Sequence, residues 1–186
     1  MCSAKRQWTY DGALKSIEAK FQMAREDTLQ AGEIYGWRLN GDLASYGSAT
    51  GADAAGVTYG AGRYGNGVLI KDTTKVSWGV SIPGMFHASF WYIPAQITTC
   101  VIWSATGANA SLRVGYDSVA SAFFLEDALF NRVVVPYAIS PNDRVCIGVC
   151  QTSSERRLFV AKMGADMQSA VSPLLPASGY SALKLY

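Results

Sequence analysis

From Glu33 onward, hydrophobic and polar residues alternate with period two in short runs broken by turn residues. Such alternation marks strands with one packed face and one wet face. The runs predict strands at Ile34–Leu39, Gly56–Tyr59, Gly67–Ile70, Lys75–Val80, Phe86–Ile93, Thr98–Ser104, Ser111–Tyr116, Ala120–Leu125, Arg132–Tyr137, Arg144–Gln151, Arg157–Lys162 and Ala182–Tyr186. Asn40-Gly41, Gly65-Asn66-Gly67, Pro83-Gly84 and Pro141-Asn142-Asp143 supply turn chemistry between them. Strands that follow one another without intervening helices predict an all-β sandwich or barrel rather than a parallel α/β sheet. One run departs from simple alternation. Phe86 to Pro94, FHASFWYIP, carries large rings on both parities, which predicts a strand deep in a packed sheet with Pro94 ending it. Asp127 to Phe130 is expected to form a short helical turn.

Before Glu33 the period changes. Tyr10 to Gln30 predicts a helix, capped by Thr9 or Asp11 and ended by Gly32. Tyr10, Leu14, Ile17, Phe21, Ala24 and Thr28 are spaced 4, 3, 4, 3 and 4, a heptad seam. Two uses fit such a seam. It can lie on its own domain, or it can dock or oligomerise through Leu14, Ile17, Phe21 and Ala24. The chain therefore divides into a helical docking or oligomerisation segment, 1–32, and a β-sandwich, 33–186.

Composition adjusts this picture in a few places. Hydrophobic residues make up 49% of the 186 and charged residues only 16%, so part of the surface is expected to be covered by a partner. A net charge of +2 gives no argument for nucleic acid or an anionic membrane. No apolar run is long enough to span a bilayer, and Met1–Tyr10 reads as no signal peptide. Cys146 and Cys150 share one strand face about 13 Å apart, too far for a disulfide. With His87 the only histidine, no metal or cofactor site is expected, and Cys2, Cys100, Cys146 and Cys150 read as reduced thiols.

Tyr35 to Ile70 reads YGWRLNGDLASYGSATGADAAGVTYGAGRYGNGVLI. With HASFWYIP, SLRVGYDS (111–118) and RLFVAKMGA (157–165), it resembles, in order, landmarks of the concanavalin A-like lectin/glucanase superfamily in its laminin G-like branch. The resemblance covers about residues 33–186 and implies an antiparallel jelly-roll sandwich. Met163-Gly164 stands where that family often has Asp-Gly, and no calcium-ligand set carries over.

Glycoside hydrolases of that superfamily place carboxylates at alternate positions of one strand, so that both acids face the substrate. The glutamates here are Glu18, Glu26, Glu33, Glu126 and Glu155, and none lies in such a motif. Glu126 and Asp127 are adjacent, so on a strand they point to opposite faces; they read as a solvated loop pair. His87, among aromatics, reads as structural rather than as the base of a triad. No phosphate loop is present. Catalytic residues are therefore not expected, and binding remains. Trp78, Trp103, Tyr116 and Asp117 fall at or near strand ends, where rings and a polar group could hold a sugar. The leading expectation is a structural or adhesion protein: a bacteriophage virion accessory component of head-fibre, decoration or tail-fibre type. It would be assembled in a host cytoplasm, and a homotrimer is expected, with other virion proteins and surface glycans as partners. The alternative is a soluble carbohydrate-binding module; a glycoside hydrolase ranks third.

Overall fold

The computed structural model describes Leu43 and residues 50–62, 65–71, 74–108, 110–172 and 179–186. The expected helix at 10–30, its docking residues and the strand at 34–39 lie outside the described residues. Within them the chain is all-β. The strands are β1 (Thr50–Ala55), β2 (Thr58–Gly62), β3 (Gly65–Leu69), β4 (Lys75–Ile82), β5 (Phe86–Tyr92), β6 (Cys100–Thr106), β7 (Ser111–Asp117), β8 (Ala122–Asp127), β9 (Arg132–Pro136), β10 (Val145–Gln151), β11 (Arg156–Lys162), β12 (Gln168–Ser172) and β13 (Tyr180–Leu185). A seven-stranded sheet runs β1-β4-β13-β6-β7-β8-β9, and a four-stranded sheet runs β12-β11-β10-β5. β2 and β3 form a separate hairpin. The pairings in both sheets and the hairpin are antiparallel.

The two large sheets face one another across a shared core. Alternation along each strand decides what enters it. From β7 come Leu112, Val114 and Tyr116; from β8, Phe123 and Leu125; from β10, Val145, Ile147 and Val149. Rings bridge the layers. Phe90 stacks on Trp103 at 6.1 Å between centroids, Phe86 meets Tyr180 edge-on at 5.6 Å, and Tyr92 meets Phe123 at 6.5 Å. Offset and edge-on geometries of this kind add stabilisation beyond simple burial. Burial also pushes the Tyr92 phenol well above its ordinary range, with Cys100 adding to the shift.

β5 differs from its expectation. Among the described residues it ends its sheet, pairing with β10 alone, and each of its seven positions is half-buried. Only one parity enters the core: Phe86, Ala88, Phe90 and Tyr92. β1 and β12 escaped the sequence reading because TGADAA and QSAVS carry little apolar alternation. Among the described residues both end their sheets, where a strand packs on fewer neighbours.

A buried polar network clamps one end of the sandwich. Arg156 on β11 is 3% exposed. Its Nε donates to Gln151 Oε1 at 2.7 Å, and its Nη1 donates to Asp127 Oδ2 at 3.0 Å. Tyr180 Oη donates to the same Gln151 oxygen at 3.1 Å, and Gln151 Nε2 donates to the Gly84 carbonyl. Asp127 and Tyr180 belong to the larger sheet, Gln151 and Arg156 to the smaller, so the network ties the layers together.

Candidate functional site

The outward face of the seven-stranded sheet carries a continuous polar row. Register places Asp53 opposite Ser77, Ser77 opposite Lys184, and Lys184 opposite Ser104. The row continues from Ser104 to Arg113, Glu126 and Arg132. Directly opposed residues share a face, so one side chain from each of the seven strands lines up. At about 4.8 Å per strand the row spans roughly 29 Å. Beside it run Gly79, Ala182, Thr106 and Ser111, again in register. The floor of this face is thus made of small and hydroxyl-bearing groups.

At one end of the row stands a charged cluster. Glu126 is buried, its side chain 5% exposed. Arg113 grips one carboxylate oxygen through Nε at 2.7 Å and also through Nη2. Arg132 holds the other through Nε at 2.9 Å and Nη2 at 2.8 Å. Each guanidinium also approaches a ring: Arg132 sits 4.2 Å from the centroid of Phe124, and Arg113 5.4 Å from that of Phe130. Phe124 faces outward yet is buried, because Gly115 beside it leaves room. A Cβ on Gly115 would run into the Phe124 ring and the Cys100 carbonyl.

Where β6, β7 and the turn after β8 lie beside Tyr186, just past the end of β13, the face sinks into a depression of about 290 Å³. Ser104, Thr106, Ser111, Arg113, Phe130 and Tyr186 line it, together with Leu112, Asp127 and Ala128. This volume matches the lower end of small-molecule sites. Tyr186 crosses β6, its Oη accepting from Ser104 Oγ at 3.2 Å and its backbone N–H donating to Ile102. Half of it remains exposed. Phe130 is 72% exposed and is held in the left-handed region at φ 61°. That conformation is unfavourable for a phenylalanine, so its surroundings must impose it.

They do so through Asp127. Its Oδ1 accepts from the backbone N–H of Leu129 at 2.8 Å and of Asn131 at 3.0 Å. Phe130 N–H donates to the Asp127 carbonyl. The segment is a tight β-turn joining β8 to β9, and this corrects the helical turn expected there. Desolvation raises the Asp127 pKa, but the hydrogen bonds from Asn131, Leu129 and Arg156 together outweigh it and hold the carboxyl below its usual range. The reading of Glu126 and Asp127 as a solvated loop pair is likewise corrected. They do point to opposite faces, but Glu126 is locked between two arginines and Asp127 builds the turn.

Of the four residues singled out from the sequence, the three rings lie elsewhere, while Asp117 reaches the charged cluster, its Oδ2 3.8 Å from Arg132 Nη1. Trp78 and Trp103 are each 3% exposed and Tyr116 2%, all in the inter-sheet core. Trp78 Nε1 donates to the Leu43 carbonyl at 3.0 Å. None of these rings offers a face to solvent. Asp117 is half-buried at the far end of β7, where its Oδ1 caps a turn by accepting from Val119 and Ala120 N–H at 3.1 Å each. The rings that do face the depression, Phe130 and Tyr186, went unremarked. The available signal was Phe130 between Asp127 and Asn131, two residues that build turns through their side chains.

No family model matches this chain, and no curated protein matches it. Among solved structures, the chain is similar to domain 4 of AbnA, a GH43 extracellular arabinanase from Geobacillus stearothermophilus, in complex with arabinotriose. The identity is 14%, the match covers 82% of this chain and 90% of that one, and the TM-score is 0.54. The carbohydrate-binding module CBM66 from Bacillus subtilis matches at 10% identity over 75% of this chain and 89% of its own, with a TM-score of 0.45. A heptameric SAP-like pentraxin from Limulus polyphemus matches at 10% identity over 60% and 66%, with a TM-score of 0.35. At 14% identity the first likeness is one of fold: the sandwich is of the kind seen in that arabinanase domain.

Proposed function

We propose that this chain is a non-catalytic carbohydrate-binding module of concanavalin A-like, jelly-roll type, and that its ligand face is the outward face of the seven-stranded sheet. The observation that carries the reading is the depression there. Two exposed rings, Phe130 and Tyr186, flank the hydroxyls of Ser104, Thr106 and Ser111 and the Arg113 guanidinium. A pyranose or furanose presents an apolar C–H face to a ring and a rim of hydroxyls to polar neighbours. This surface offers both in one place. The likeness of fold to a domain solved with arabinotriose supports the same class of ligand.

The absence of catalysis is part of the proposal. A general acid or nucleophile needs a carboxyl able to reach the substrate. Glu126 has both oxygens engaged by arginines, and Asp127 is committed to its turn and to Arg156. Asp127 lines the depression, and its engagement with the turn and with Arg156 is what argues against its exchanging a proton with a ligand there. The virion setting and homotrimer expected from the sequence draw no support from the fold or from its neighbours.

Titration calorimetry against arabino-oligosaccharides, followed by a broad glycan array, tests the reading. Weak, saturable binding is expected, falling at least tenfold (about 1.4 kcal/mol) in Phe130→Ala and in Arg113→Ala. Binding that ignores both substitutions overturns the site. No glycan bound across the array overturns the function, and release of reducing ends overturns its non-catalytic character.

A further inference from the structure

Two cations stand at the depression on the seven-stranded sheet. Arg113 lines it. Lys184 stands on its rim: it is exposed, it is the strand partner of Ser104, and it lies two residues before Tyr186. Leu183 and Leu185 turn to the core, so Lys184 has the outward parity. Register sets Lys184, Ser104 and Arg113 side by side on three neighbouring strands. At about 4.8 Å per strand, the two cations flank the Ser104 hydroxyl from backbone positions roughly 10 Å apart.

The carboxylates around them are committed elsewhere. Glu126 lies on the far side of Arg113 from Ser104, and Arg132 shares it. Asp127 Oδ1 accepts from the N–H groups of Leu129 and Asn131, and its Oδ2 faces the buried Arg156. Asp117 is four residues along β7 from Arg113, about 13 Å away, and turns to Arg132. Asp53 is two strands beyond Lys184, again about 10 Å away. Among the described residues Lys184 joins no ion pair. Arg113 spends Nε and Nη2 on Glu126, and among the described residues its Nη1 has no acceptor. Glu126 on one edge and the Phe130 ring 5.4 Å away hold that guanidinium in place. A fork already fixed loses little freedom when Nη1 meets a ligand.

We infer that the ligand of this face is an anionic sugar, whose carboxylate or sulfate ester is received between Lys184 Nζ and Arg113 Nη1 while Phe130 and Tyr186 take the C–H faces. The inference rests on the carbohydrate-binding role proposed above and names the class of glycan. A neutral sugar would satisfy the hydroxyls of the floor but leave Lys184 without a counter-charge. An anionic substituent over Ser104 reaches both cations at once, and hydrogen bonds to an ionised group are about twice as strong as neutral ones. Both cations are partly exposed, so the attraction is screened by salt.

Titration calorimetry of the native full-length protein with two matched pairs tests this: oligogalacturonate against its methyl ester, and a sulfated galacto-oligosaccharide against its desulfated form. Arabino-oligosaccharides run beside them. The anionic member of one pair is expected to bind roughly tenfold tighter than its neutral twin at low ionic strength, with the ratio shrinking as sodium chloride is added. Preference within the first pair assigns the anion as a carboxylate, and within the second as a sulfate ester. Lys184→Gln should cut the ratio roughly fivefold, and Lys184→Arg should keep it. The ratio is the deciding quantity, because a merely structural defect weakens both members of a pair alike. Equal affinities within both pairs overturn the inference, as does a preference that survives Lys184→Gln. Binding of arabino-oligosaccharides alone overturns it too, while leaving the carbohydrate-binding role standing. No binding to any of these glycans or across the array overturns both.

Discussion

Replacing Arg156 by methionine isolates the contribution of the buried clamp between the sheets. Methionine fills much of the same space but donates no hydrogen bond. The change leaves Asp127 Oδ2 and Gln151 Oε1 without their guanidinium donor. Removing one partner of a buried pair generally costs about 3–5 kcal/mol, because the other charge stays buried. The lower end applies here. Asp127 keeps the N–H groups of Leu129 and Asn131 and the Asn131 amide, and Gln151 keeps the Tyr180 hydroxyl. The expected loss is therefore about 3 kcal/mol, a fall in Tm of roughly 6–12 °C for a chain of this size. Guanidinium unfolding followed by tryptophan fluorescence measures it. Adding Asp127→Asn should recover part of the loss, since the double variant buries no unpaired charge. A loss below about 1 kcal/mol, or strict additivity of the two changes, refutes the assignment of the clamp.

Other expectations follow from the same geometry. Gly115→Ala should cost about 1–3 kcal/mol, because the new methyl meets the Phe124 ring and the Cys100 carbonyl; thermal unfolding reads it. Phe130→Gly releases a left-handed phenylalanine but loosens the unfolded chain, so stability should change by less than about 1 kcal/mol. Sugar affinity in that variant should fall at least tenfold, and retained affinity would remove Phe130 from the site. The Asp127 pKa lies below its unfolded value, so its charge contributes stability fully above about pH 4 and loses it as pH falls through the folded value. Unfolding free energy measured between pH 7 and pH 2 should therefore drop more steeply in the wild type than in Asp127→Asn. Trp103→Ala should cost about 3–5 kcal/mol of stability, as a core truncation rather than the loss of a sugar platform.

The fold was legible because its signal is repeated. Most strands announce themselves by alternation, and the turns between them carry Gly, Pro, Asn or Asp. What failed to show were the edges. β1 and β12 lack an apolar face, and β5 looked central because its rings occupy both parities. Only pairing reveals that those rings lie on two different faces: Phe86, Phe90 and Tyr92 enter the inter-sheet core, and Trp91 packs against Cys146 and Phe159 on the outward side.

The candidate site was hidden for a related reason. Tryptophans near strand ends drew attention, yet the physics that favours a large ring at a binding face also favours it in the core, and sequence position does not separate the two. Parity relative to the sheet does. Trp103 and Ser104 are neighbours in sequence; the ring turns inward at 3% exposure, and the hydroxyl turns outward into the depression. The outward row from Asp53 to Arg132, which takes in Lys184, draws one residue from each of seven strands spread over some 130 positions of sequence, and no local window contains more than a few of them. Phe130 alone carries a local sign, because a bulky residue in the left-handed region needs something to hold it there. Asp127 does so from three residues away, and the same carboxylate reaches Arg156 in the opposite sheet. The turn that presents the ring is thereby braced by the clamp that joins the layers, so the exposed face and the core share one polar anchor.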